Sequence, residues 1–415
     1  MHLRESAWIA ATVPRATAVR GCRGLGESVG PTPPFAGCRR GDPGGTIPDV
    51  TCVDGIAKGV TAADGETVFD ELAARLAHFV PFDASIFFAT DPATVLAVCP
   101  ARIDGVANNQ CHAYWEREFF VEDVNLFRDL AHAPRPVGTL WSATDELPAR
   151  SARYREFLRP EGYGDELRVA FRVGTFAWGI AALMRGAGRS PFSREEVALV
   201  AALSSPVGAA LRRATLARPP APLQAPKAPG LMLFDPDGEL LSVSDEARAW
   251  LGELPEPPIG PRPLGSPLPT EVVGVVARAR AIAHGRASAP ARVRLRSSSG
   301  RWLLLHATCL RDLEGDPGSV AVVIEPAQGE EIAPIIVEAY GLAPREQEVT
   351  RLIARGLGTA EIAATLFVSP HTVRDYVKAV FEKVGVSSRG ELTAKLFAEH
   401  YTRPLRQGAY HVDGE

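Results

Sequence analysis

The sequence predicts two α+β domains followed by an all-α domain of four helices. Before residue 330, apolar and polar residues alternate over several short segments, as they do in half-buried strands. Near the C-terminus the apolar residues recur every three or four positions, as on one face of a helix. Residues 217–230 are rich in proline and alanine, which predicts a stiff linker between the two α+β domains.

Composition limits the class of protein. The chain has 415 residues and 46% hydrophobic content, enough for two or three domains with cores. Its net charge of −4 means that any attraction to nucleic acid must come from a local basic patch. No uninterrupted apolar run reaches membrane-spanning length, so we expect a cytoplasmic protein without membrane contact.

The sequence offers little for catalysis or metal binding. Its six cysteines include no CxxC pair, which argues against a zinc site and against a dense disulfide framework. We find no paired carboxylates, metal-ligand spacing or nucleophile motif. We therefore expect a protein that is not an enzyme, with no catalytic residues, no metal and no cofactor.

The N-terminal part divides at residue 63. Residues 1–63 are rich in Gly, Pro and Arg without apolar periodicity, which predicts a disordered leader or a translation start assigned too far upstream. Residues 64–216 then contain a helix from Thr67, strands that include an alternating segment at 167–173, and a long helix after Ser193. This order of elements resembles a GAF domain, which implies an α+β sensor-like domain.

Residues 231–326 contain a second set of elements. A hairpin around the turn at 235–238 is followed by a helix from Ser244, a helix at 271–283 and three strands. This succession resembles a PAS fold. Three arginines in the first of those strands alternate with apolar residues, and we interpret them as its solvent-exposed face: Arg292, Arg294 and Arg296.

The C-terminal segment, residues 335–403, marks its own helix boundaries. Pro344 suits the first position of a helix, and Ser369 followed by Pro370 predicts a tight corner between two helices. Gly385 suits a left-handed helix end, and Ser388 opens a fourth helix. Two short helices joined by a tight corner indicate a helix-turn-helix.

The third helix of this segment has two distinct faces. Val373, Val380 and Val384 fall on one apolar stripe, with Val377 between them. The opposite side carries charged residues, among them Arg374, Asp375 and Lys378. The pattern predicts a core side, and by itself the charged side is what the solvated face of an amphipathic helix would show. Only together with the tight corner, the caps and the adjoining helices does it indicate a side for nucleic acid.

Four short segments of this domain, at 342–349, 361–363, 372–374 and 383–386, resemble the LuxR-type (NarL-type) DNA-binding domain of bacterial transcription regulators. The resemblance implies that the third helix enters the major groove and that the fourth supports dimerisation. Carried over by position, the implied contacts to bases or phosphates are Arg374, Asp375 and Lys378, those near the DNA backbone are Thr372 and Lys383, and those of the dimer are Leu392 and Leu396.

Some features of this segment stay open. Asp375 could accept a hydrogen bond from a cytosine amine or pair with a neighbouring basic residue. Ala343 and Gly358 stand where the family usually has a Ser or Thr cap, so we expect both helix starts to fray more easily.

The expected function is that of a bacterial transcription regulator. The expected partners are double-stranded DNA, a second copy of the chain, RNA polymerase and a small-molecule effector. One alternative is a sigma-factor-like subunit of RNA polymerase. Another is an autoinducer-binding regulator, because the aromatic stretch at 114–120 with Asp123 and Trp141 resembles such domains and could line a pocket, although core packing is the favoured interpretation.

Overall fold

The computed structural model describes residues 50–62, 67–106, 111–217, 228–255, 268–393 and 395–396. The N-terminal domain contains a five-stranded antiparallel sheet with the order β2-β1-β5-β4-β3. Its strands are β1 (Ala84–Asp91), β2 (Leu96–Asp104), β3 (Val137–Thr139), β4 (Tyr163–Val173) and β5 (Phe176–Gly186). The predicted alternating strand is therefore β4, which forms a hairpin with β5 through Gly174 at φ +62°.

Helices surround this sheet. They are α1 (Val50–Ala62), α2 (Val68–Leu76), α3 (Cys111–Phe120), α4 (Phe127–Leu130), α5 (Leu140–Ala143) and α6 (Arg194–Ala217), with a 3-10 turn at Pro148–Arg150 and a π-helical turn at Tyr154–Leu158. Of the described helices, α6 is long and apolar enough to cross a membrane by length and composition. Its Leu203, Val207 and Leu211 are buried in the core of the domain, as in the core helix of a globular domain.

The second domain repeats the same sheet topology. Its strands are β6 (Gly230–Phe234), β7 (Leu240–Val243), β8 (Arg292–Arg296), β9 (Trp302–Arg311) and β10 (Pro317–Pro326), and its helices are α7 (Asp245–Leu251) and α8 (Thr270–Ala283). In the order β7-β6-β10-β9-β8, the strands of the domain follow one another across the sheet as second, first, fifth, fourth and third. That is also the order in the N-terminal domain.

The beginning of the N-terminal domain differs from the prediction. Residues 50–62 were included in the predicted disordered leader, but they form α1, whose Ile56 and Val60 are fully buried. The prediction is wrong for this part, because apolar residues at helical spacing bury against α6 and α2. Residues 1–49 and most of the predicted linker, 218–227, lie outside the described residues.

The C-terminal region is helical, as predicted. It consists of α9 (Gly329–Ala339), α10 (Pro344–Ala354), α11 (Thr359–Leu366), α12 (Pro370–Val384) and α13 (Arg389–Thr393). Sequence analysis did not predict α9, whose Ile332, Ile335 and Ile336 are buried. This helix packs against α6, so the helical region contacts the N-terminal domain.

Candidate nucleic-acid interface

The corner between α11 and α12 is fixed by local hydrogen bonds. The Ser369 hydroxyl accepts a hydrogen bond from the Thr372 backbone N–H at 3.1 Å, and Pro370 is the first residue of α12. Phe367 ends α11 in the left-handed conformation, with φ of +55°. These contacts confirm the predicted cap and set the direction in which α12 leaves the corner.

The core side of α12 is the predicted valine stripe. Val373, Val380 and Val384 are buried, together with Ile362 of α11 and Val349 of α10. Gly385 then ends α12 with φ of +68° and donates to the Phe381 carbonyl. Because one side of α12 is packed against its neighbours, its other side is held outward.

The outward side carries Arg374, Asp375 and Lys378, all exposed as predicted. The Asp375 carboxylate lies 3.0 Å from Nδ1 of His371, one turn earlier on the same helix. Of the two roles left open for Asp375, pairing with a neighbouring basic side chain is thus the one present here. Arg374 and Lys378 have no ion-pair partner among the described residues, so both cations are available to phosphate or to base edges.

The other two predicted contacts are more constrained. The Thr372 hydroxyl lies 2.9 Å from the hydroxyl of Ser369 and is part of the corner. Lys383 donates to Glu346 Oε2 across 2.6 Å, and that same oxygen accepts the Ala343 N–H at 2.6 Å. A role for Lys383 at the DNA backbone would compete with this ion pair, which joins residues 37 positions apart and leaves no local sequence signal.

Acidic side chains replace the missing caps. Glu346 Oε2 accepts the Ala343 N–H, and Glu361 Oε2 accepts the Gly358 N–H at 2.7 Å. Each glutamate lies three residues after the residue that precedes its helix, which is the reverse half of a capping box. Both helix starts are therefore held despite the absence of a Ser or Thr side chain.

The predicted dimerisation residues lie in the core of the chain. Leu392 and Leu396 are each 1% exposed, because the other helices of the region already cover them. A side chain buried within its own chain cannot form a contact with a second subunit, so the structure removes the basis for assigning these two leucines to a dimer surface.

The aromatic stretch at 114–120, for which core packing was the favoured interpretation, lies in the N-terminal domain. Tyr114, Trp115 and Phe119 are buried in the core, as the favoured interpretation expected. Asp123 accepts hydrogen bonds from the Ser151 hydroxyl at 2.9 Å and from the Arg153 N–H at 2.7 Å, so it holds a loop. The residues that suggested an autoinducer pocket thus have structural partners.

The arginines of β8 are not all on a solvent-exposed face. Arg294 is 3% exposed, and its guanidinium contacts both carboxylate oxygens of Asp91, at 2.7 and 2.9 Å. The predicted exposure is therefore wrong for Arg294 and correct for Arg292, which is exposed. The alternation of polar and apolar residues along β8 cannot reveal that the N-terminal domain covers part of the outer face of this strand.

Comparison with known proteins identifies two of the three regions. Residues 341–396 match the luxR family of bacterial regulatory proteins, and residues 228–330 match the PAS fold. The GAF-like assignment of residues 64–216 stays a prediction.

Three relatives illustrate the extent of the similarity. A helix-turn-helix type transcriptional regulator from Mycobacterium bovis is 45% identical over 51 residues, 12% of this chain and 6% of that protein. The transcriptional regulatory protein NarL of Mycobacterium tuberculosis is 44% identical over 54 residues, 13% of this chain and 25% of NarL. The spore germination protein GerE of Bacillus subtilis is 38% identical over 55 residues, 13% of this chain and 74% of GerE. The chain thus spans most of GerE but only a small part of the mycobacterial relatives.

Proposed function

Because this chain belongs to the luxR family of bacterial regulatory proteins, we propose that it binds operator DNA through α12 and regulates transcription. The observation that carries the proposal is the side of α12 that bears Arg374 and Lys378, held outward by the buried valine stripe behind it. In a helix-turn-helix the second helix lies in the major groove, where arginine can bind guanine through two hydrogen bonds. The family match favours this function over a sigma-factor-like subunit.

The remaining partners follow from the same proposal. Helix-turn-helix regulators commonly bind two half-sites as dimers, so we propose a homodimer whose contact does not use Leu392 and Leu396. RNA polymerase is the proposed downstream partner, and the cytoplasm the proposed location. The N-terminal domain and the PAS-fold domain together form the proposed sensor, with a small-molecule effector.

The test begins with the full-length chain and a pool of random DNA duplexes, from which the bound sequences are selected. Affinity is then measured for a selected duplex and for a scrambled one, first at one fixed salt concentration and then across a salt series. We expect Arg374→Ala to weaken binding to the selected duplex by about 1–3 kcal/mol and to relax the preference at one base pair of each half-site. Lys378→Ala should weaken binding to both duplexes and lower the salt slope by about 1.

The matched control is Arg311→Ala, which removes an exposed arginine from β9 in the PAS-fold domain. It should leave both affinities unchanged. A wild-type chain that binds no duplex even at low salt, or an Arg374→Ala chain with an unchanged preference, would contradict the proposal that α12 reads the operator.

A further inference from the structure

A buried arginine that has no acidic partner within the described part of the chain lies where the N-terminal domain meets the PAS-fold domain. Arg278 of α8 is 4% exposed, and its guanidinium carbon lies 4.5 Å from the ring centroid of Phe119. Its Nη2 donates to the Thr94 carbonyl at 3.2 Å. Among the described residues, neither the Nε of Arg278 nor the buried Thr94 hydroxyl has a hydrogen-bond partner.

Other buried arginines of these two domains do have carboxylates. Arg153 contacts Glu166 at 2.8 Å, Arg168 contacts Glu118 at 2.8 Å, and Arg294 contacts Asp91 at 2.7 Å. Arg278 therefore differs from these buried arginines, whose positive charges are each paired with a carboxylate.

The nearby carboxylate is already engaged. Glu118 contributes a favourable charge to Arg278, but its Oε1 accepts the Phe127 N–H at 2.7 Å and its Oε2 accepts from Arg168. Arg128 also acts on Arg278, and its own Nη1 is buried without a partner among the described residues. The Nε of Arg278 and the hydroxyl of Thr94 thus have unused donors at this contact, and Arg128 adds positive charge to its surroundings.

The charge on Arg278 persists at neutral pH. Burial lowers the pKa of Arg278 to about 10, and the positive charge of Arg128 contributes in the same direction. A guanidinium with this pKa remains protonated at pH 7, so the contact carries a positive charge that, among the described residues, has no carboxylate hydrogen-bonded to it. Such a charge is stabilised by an anion that hydrogen bonds to it.

We propose that this contact between the domains binds a small molecule carrying a carboxylate or phosphate group, with Arg278 as its main ligand, the Thr94 hydroxyl as a further donor and the positive charge of Arg128 as a more distant attraction. Ligand sites form preferentially at domain interfaces. Thr94 and Arg128 belong to the N-terminal domain and Arg278 to the PAS-fold domain, so the bound anion favours the arrangement in which the two domains meet here. Its role as the effector rests on the proposed function; its binding does not.

The experiment is a titration of the full-length chain with inorganic phosphate and, separately, with acetate, against sodium chloride at equal ionic strength. Binding is followed by calorimetry and by the rise in melting temperature, which grows with the logarithm of anion concentration above Kd. We expect a saturable response of the wild type to at least one of the two anions below about 100 mM. Arg278→Met should weaken it at least about tenfold, because the charged donor is removed.

Two further variants make the result decisive. Arg286→Met removes an exposed arginine that donates to the Phe120 carbonyl near the same contact, and it should respond like the wild type. In chloride alone, Arg278→Met should be at least as stable as the wild type, because a buried unpaired charge has been replaced by an apolar chain. Should Arg278→Met fail to fold, Thr94→Val, which keeps the shape of the side chain, supplies the test and should weaken the response several-fold.

The inference is overturned if the wild type shows no saturable response to phosphate or to acetate beyond that of the chloride control. An Arg278→Met chain that responds like the wild type overturns it too. DNA binding measured on the same samples separates the two proposals: DNA binding without an anion response contradicts only this inference, and an anion response without DNA binding contradicts only the proposed function.

Discussion

At the scale of single residues, the buried charged side chains differ in whether they have a partner of opposite charge. Most buried arginines are paired with a carboxylate, and Arg168 also lies 3.7 Å from the ring centroid of Phe127. Glu271, at the start of α8, is a buried carboxyl without a cation among the described residues. Its Oε1 accepts the Cys99 N–H at 3.0 Å. Burial raises the pKa of Glu271, against the opposing effect of its hydrogen bonds.

This raised pKa predicts how stability depends on pH. The folded state holds the proton of Glu271 more tightly than the unfolded state does. The contribution to stability is therefore greatest below the unfolded pKa of about 4.3 and is lost as the pH rises through the folded pKa. Glu271→Gln keeps an acceptor for the Cys99 N–H and removes the titration. We expect it to be more stable than the wild type near neutral pH, with a smaller difference at about pH 4.

Urea denaturation at several pH values measures this difference. Glu239→Gln, at an exposed position, is the control and should follow the wild type throughout. A Glu271→Gln chain whose stability differs from the wild type by the same amount at every pH would show that the carboxyl does not titrate in this window.

At the scale of elements, α13 completes the core of the C-terminal domain. Leu392 is buried, and Lys395 donates to the carbonyl of Val384 at 2.8 Å, at the end of α12. Lys395 lies two residues beyond α13, so the chain that follows this short helix contacts the end of the helix that presents Arg374. Leu392 contributes apolar burial, and the exposed turn before α13 is held by Glu391 Oε2, which accepts hydrogen bonds from the N–H and the hydroxyl of Ser387.

Leu392→Ala is expected to lower the free energy of unfolding by about 2–5 kcal/mol, because a buried leucine is replaced by a cavity. Glu382→Ala, at an exposed position of α12, should change it by less than about 0.5 kcal/mol. Chemical denaturation gives both values, and sedimentation of the same samples gives the oligomeric state. A Leu392→Ala chain that keeps its stability and loses only self-association would restore the dimer assignment.

At the scale of the whole molecule, one side chain joins three parts of the chain. Arg294 of β8 binds Asp91 of the N-terminal domain, and its Nη1 donates to the Glu331 carbonyl of α9 at 2.9 Å. Helix α9 leads directly into α10 of the DNA-binding domain. Arg294 thus links the contact between the two sheet domains to the start of the helical region.

Removing one partner of this pair should be costly. Asp91→Ala leaves Arg294 buried without its carboxylate, and we expect a loss of about 3–5 kcal/mol in stability. The double variant Asp91→Leu with Arg294→Met removes both charges and should recover most of that loss. Arg292→Met, at an exposed position of the same strand, is the control. Equal stability of the single and double variants would show that the buried charge is not the source of the cost.

The sequence by itself determined the features that depend on near neighbours. The cap at Ser369, the left-handed end at Gly385 and the alternating strand at 167–173 are local signals, because a cap or a turn involves residues within a few positions of one another. Helix α1 had such a signal in Ile56 and Val60, which the composition of the preceding residues obscured.

Only the tertiary structure decided which of these local faces are covered. Alternation marked Arg294 as polar, but its burial depends on Asp91, which is 203 residues away. The apolar spacing of Leu392 and Leu396 is the same for a dimer surface and for a core, and packing against the other helices selects the core. Arg278 likewise became a candidate ligand only when two domains met around it, because burial is a property of long-range contacts that no short segment encodes.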